Sequence, residues 1–98
     1  MTLQKDTDHT EIKYLKRFVD FANKYVLEIG CGEGRLTRQF AGATQSTIAI
    51  DLDHDSLRVA KVDCPVDLNN KVYLTHCESE HLPFVKEKFD IAILAWSL

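Results

Sequence analysis

Four short apolar runs set the frame for this chain: "YVLEI" at Tyr25–Ile29, "TIAIDL" at Thr47–Leu52, "KVYLTH" at Lys71–His76 and "FDIAILAW" ending at Trp96. The second and fourth are nearly continuous rather than alternating. That is the mark of strands buried on both faces, as in a parallel sheet. Parallel neighbours need crossover connections, and the intervening segments supply them. From Thr10, residues Ile12, Leu15, Phe18, Val19 and Ala22 recur at three- and four-residue spacing, which predicts an amphipathic helix. Leu36, Phe40 and Ala41 predict a short helix over Arg35–Ala41, with Gly42 as its stop. Asp53 reads as the N-cap of a helix running to about Val62, with Leu57 and Ala60 facing inward. Pro65 and the Asn69-Asn70 pair mark a loop, and "CESEHLPFVKEK" is a connection. The alternation predicts an α/β domain with right-handed crossovers. At 98 residues there is room for one small domain, and residues before about Asp8 read as a loose start.

The first run opens into "IGCGEGRL", which holds three of the chain's four glycines, at Gly30, Gly32 and Gly34. Glycine at a strand–helix junction takes positive φ and lets a ligand approach the backbone. In open α/β sheets such junctions are where nucleotide-type ligands bind. The dinucleotide fingerprint G-x-G-x-x-G fails, because its third glycine would fall on Arg35, and no Gly-Lys-Ser/Thr follows to make a phosphate loop. An NAD-type module is the disfavoured alternative.

The pattern that stands here is Glu28-x-Gly30-x-Gly32-x-Gly34. "VLEIGCGEG" resembles motif I of the class I methyltransferases that use S-adenosylmethionine, of the type 11/25-like kind. "AIDLD" resembles the family's second motif, "CESEHLPF" its segment after strand three, and "KFDIAILAW" its fourth-strand motif. They come in the family's order and cover about Tyr25 to Leu98. The resemblance implies that Glu28, Gly30, Cys31, Gly32 and Gly34 line the methionine part of the cofactor. It also implies that Asp51 accepts from both ribose hydroxyls, with Leu52 beside it. Glu78 would accept from the adenine amino group, Ser79 would donate its N–H to the ring, and Ala95 would flank the methionine. Glu78 stands where Asp is commoner and Cys77 where Gly is, so the adenine contacts depart most from the family pattern.

The family's fold is a three-layer Rossmann-like sandwich with strand order 3-2-1-4-5-7-6. The resemblance therefore implies a partial parallel sheet of order 3-2-1-4 with helices on both faces, residues 10–98 forming the cofactor-binding half. On this reading the chain is a truncated methyltransferase; the alternative is a catalytically incomplete S-adenosylmethionine-binding protein. The fourth strand would be an apolar edge, which favours self-association.

The remaining features exclude other classes. Net charge is −3, which argues against a nucleic-acid surface; Lys13, Lys16 and Arg17 read as a solvated helix face. Cys31, Cys64 and Cys77 form no CxxC pair, which suits a reducing cytosol. His76, Cys77 and His81 lack a second ligand pair for zinc. Cys31 sits in a crowded loop and is not read as a nucleophile. No signal peptide is visible, and the longest apolar run, Ile91–Trp96, is too short to span a bilayer. The methyl acceptor is unidentified; the "LPF" segment points weakly to a small molecule.

Overall fold

The computed structural model describes residues 2–4, 10–77 and 88–96. The elements are β1 (Thr2–Gln4), α1 (Thr10–Phe18), β2 (Tyr25–Ile29), α2 (Arg35–Phe40), β3 (Ser46–Asp51), α3 (His54–Asp63), β4 (Val72–His76) and β5 (Ile91–Trp96). The five strands among the described residues are all parallel, in the order β1-β5-β2-β3-β4. Within it, β4-β3-β2-β5 is the expected 3-2-1-4 arrangement.

The N-terminus differs from expectation. Thr2–Gln4 is a strand, not a loose start, and it pairs with Leu94–Trp96 of β5. The second half of the β5 edge is therefore paired within the chain. An exposed row of N–H and C=O groups is a strong template, and the nearest free segment takes it.

The three described helices share a side of the sheet. Ladder partners in a parallel sheet share a face, so Val26, Glu28, Ala49, Leu74 and Ile93 lie on one side. Leu15 of α1 and Phe40 of α2 pack with Val26 and Ile93. Leu57 of α3 packs with Ala49. Among the described residues all three helices thus cover one face. The reading of helices on both faces is met on one. The steps from β2 to β3 to β4 run in one direction, and same-handed crossovers in one direction stay on one side. The reversal toward β5 runs through residues 78–87, outside the described residues.

The core beneath α1 and α2 is close-packed. Leu15 and Val26 are fully buried, Phe40 is 1% exposed, and the Phe21 ring stacks on Phe40 at 4.7 Å between centroids. The first helix ends at Phe18, earlier than its periodicity suggests, and Phe18 is exposed. Phe21, beyond the helix end, fills that place instead. Gly42 is likewise not a left-handed stop. It lies in a 3-10 turn, Ala41–Ala43, that closes when the Thr44 hydroxyl donates to the Ala41 carbonyl at 2.7 Å. Asp90 fixes β5 against β2: its Oδ2 accepts from the Tyr25 N–H at 2.9 Å, and its own N–H donates to the Tyr25 carbonyl at 2.8 Å. Among the described residues no helix is long and apolar enough to cross a membrane.

Candidate functional site

The C-terminal ends of β2, β3 and β5 open onto a cleft of about 490 Å³, within the usual range for small-molecule sites. The glycine loop forms one wall. Gly30, Gly32 and Gly34 all have positive φ. At Gly30 a Cβ would overlap the Ala95 carbonyl oxygen of β5. The missing side chain there lets the loop close on the neighbouring strand. The Gly30 and Cys31 N–H groups both donate to the Ile50 carbonyl, at 2.8 and 3.1 Å, anchoring the loop to β3.

Asp51 ends β3 and faces the cleft. Its Oδ2 accepts from the Gly32 N–H at 2.7 Å, and its Oδ1 accepts from the Asp53 N–H at 2.7 Å. The carboxylate therefore joins the loop on one side to the start of α3 on the other. Asp53 caps α3 as its position predicts, accepting from the Asp55 and Ser56 N–H groups and from the Ser56 hydroxyl. The Ser56 hydroxyl, ahead of its N–H, holds the Asp53 carboxyl below its ordinary value. The apolar lining comes from Ile29, Ile50, Leu94 and Leu52, the last 56% exposed at the rim.

Of the residues expected to line the site, Gly30, Gly32, Asp51, Leu52 and Ala95 border the cleft together. Glu28 does not. It is fully buried beneath α2 and accepts a hydrogen bond from the Thr37 hydroxyl. Cys31 is also turned away, packing with Ala49 and Leu57 on the helix side. Burial, then the nearby Glu28 and Asp51 carboxylates, push its thiol far up, so it stays protonated. Gly34 is buried at the start of α2, where a Cβ would stand 3.4 Å from the Ala60 side chain. Glu78 and Ser79 lie outside the described residues.

Sequence reasoning did not place Ser56, Ile29, Ile50 and Leu94 at the cleft, yet all border it, as do Asp53, read as a helix cap, and Cys77, read as a departure in the adenine segment. The available signal was position, since each lies at or just beyond the C-terminal end of a strand or in the first turn of α3. Among the described residues no group of three His, Cys, Asp or Glu side chains could hold a metal ion.

Residues 26–98 match the family described as Methyltransferase domain. The chain is 33% identical over 81 residues to a ubiquinone biosynthesis O-methyltransferase of Hydrogenovibrio crunogenus, covering 82% of this chain and 33% of that protein. It therefore spans about a third of the length of the curated relative it matches. Among solved structures it resembles the YcgJ protein from Bacillus subtilis, with a TM-score of 0.72 and 27% identity over 84% of this chain and 35% of that one. It shares the fold of Haemonchus contortus phosphoethanolamine N-methyltransferase 1, solved with phosphoethanolamine and S-adenosylhomocysteine. There the TM-score is 0.75 at 20% identity, covering 86% of this chain and 18% of that one.

Proposed function

Because the chain belongs to the methyltransferase domain family, of the class I kind that uses S-adenosylmethionine, we propose that it holds this cofactor in the cleft and serves methyl transfer to a small-molecule acceptor. Asp51 carries the reading. Each of its oxygens accepts one backbone N–H and keeps a further lone pair directed by the same carboxylate. A vicinal diol offers two matching donors. Leu52 and Ile50 give an apolar surface for the adenine, with Cys77 beside it. Glu78 and Ser79 complete the adenine contacts in this reading. The methionine half lies along Gly30, Gly32 and Ala95, where the missing side chains permit close approach.

When bound, the cofactor supplies a methyl group activated on a sulfonium, so the acceptor's own nucleophile makes the displacement. This chain's residues bind and orient. Asp51 fixes the ribose, the loop backbone fixes the amino-acid end, and Ile29 and Leu94 keep water from the space between. Cys31 forms no covalent intermediate, since its thiol stays protonated and faces away.

A small acceptor is supported by the likeness to a ubiquinone biosynthesis O-methyltransferase. The cysteine pattern favours a reducing cytosol. Calorimetric titration with S-adenosylmethionine, S-adenosylhomocysteine and NAD tests the reading. Saturable one-to-one binding of the first two and none of NAD is expected. Binding of NAD alone would overturn it.

A further inference from the structure

Glu28 and Thr37 are polar side chains placed where the fold excludes water. Glu28 is fully buried and Thr37 is 2% exposed; Glu28 is the ladder partner of buried Ile93, and Thr37 shares the buried side of α2 with Phe40. A carboxyl group costs several kcal/mol to bury unless it is hydrogen-bonded. Here the Thr37 hydroxyl supplies that bond. Glu28 lies two residues before Gly30, and Thr37 lies three residues after Gly34. The bond therefore spans the glycine loop and ties its two stems together. The tip is held separately, by the Gly32 N–H donating to Asp51. Stem and tip are fixed by different carboxylates.

The geometry points to Thr37 and Glu28 as a positioning pair. They hold the loop backbone where the methionine end of the cofactor lies, and neither touches the cofactor. This rests on the proposed cofactor reading of the cleft. A loop in a polar, water-washed site keeps one shape only when its supports are locked. The pair does this from the dry side. It also accounts for Glu28 in the motif without a contact to ligand.

The test compares two ligands that share the nucleoside but differ in the amino-acid part: S-adenosylhomocysteine and 5′-methylthioadenosine. Both are titrated calorimetrically into the full chain and its variants. Binding of both by the native chain tests the cofactor reading itself. Thr37→Val removes the hydroxyl at nearly constant volume. It is expected to weaken S-adenosylhomocysteine at least tenfold and 5′-methylthioadenosine no more than threefold. Thr37→Ser is expected to restore the native ratio. Glu28→Gln keeps an oxygen that accepts from Thr37, so it too is expected to keep that ratio. Equal losses for both ligands in Thr37→Val would reduce the pair to a general structural role. Loss of the ratio in Glu28→Gln, with Thr37→Val unaffected, would make Glu28 a direct ionic contact and overturn the proposal. If Thr37→Val does not fold, Glu28→Gln and Thr37→Ser still decide the matter: a lost ratio in either one contradicts it.

Discussion

Glu28 and Asp51 are carboxylates on neighbouring strands; Glu28 accepts a hydrogen bond from Thr37 of α2, and Asp51 accepts one from Gly32 in the loop before that helix. Their surroundings separate them. Glu28 is fully buried beneath α2, whereas Asp51 is half-buried at a strand end facing an open cleft. The first belongs to the packing of the helix-covered face, the second to the site. The two motifs that hold them thus feed regions with different physics. In the dry region, loss of contacts shows as lost stability. In the cleft, loss of a donor or acceptor shows as lost affinity.

The contrast is broken most severely at Phe40, at the centre of the dry region. Phe40→Ala is expected to cost about 3–5 kcal/mol of stability, read from the midpoint of guanidinium unfolding. The fraction still folded should keep its ratio of affinities for S-adenosylhomocysteine and 5′-methylthioadenosine. A changed ratio would mean that the two regions are not separable. A smaller effect is expected from Leu3→Pro, which places a proline ring at the middle of the three-residue β1 paired with β5. With the β5 edge less protected, self-association should rise, measured by light scattering at high micromolar concentration. An unchanged monomer would show that β1 does not guard this edge.

The smallest expected effect is at Asp53. Its carboxyl is held below the ordinary value of 3.8 by the Ser56 hydroxyl and N–H. A carboxyl that loses its proton more readily when folded stabilises the fold while ionised. That contribution is complete above the ordinary value and is lost as pH falls through the lowered one. Asp53→Asn should therefore lower Tm slightly at pH 7, and the gap from the native chain should close on acidification. A gap that stays constant to the lowest pH at which the chain folds would contradict the role given to the charge.

Much of this frame was legible in the sequence. The bounds of β2 match the apolar run, those of β4 differ from it by one residue at its start, and those of β3 by one residue at each end. Asp53 caps α3 as its side chain predicts. Strand bounds are readable because burial on both faces leaves an unbroken apolar signal. What failed concerns direction. Strand periodicity puts Glu28 on the face opposite Leu27 and Ile29, but it does not say which face carries α2. A usable signal was present in Thr37, a hydroxyl between Leu36 and Phe40 on the apolar side of a short helix. A polar residue there, opposite a lone acid in an apolar strand, is more readily a partner than a ligand group. Phe21 was missed for a different reason: its inward position depends on where α1 ends, and helix ends are set by tertiary packing as much as by spacing. The pairing of Thr2–Gln4 was missed because three residues carry no periodic signal, and the vacant edge of β5 decides their state.

The central claim is that Asp51 holds a ribose diol at the cleft, and comparing cofactor affinity in the native chain and in Asp51→Ala tests it most directly. Titration of S-adenosylmethionine should show binding weakened by about 1.5–3 kcal/mol in the variant, the scale for hydrogen bonds to a charged group. The unfolding midpoint should fall far less than in Phe40→Ala. Equal affinity in the two proteins would remove Asp51 from the site and contradict the account.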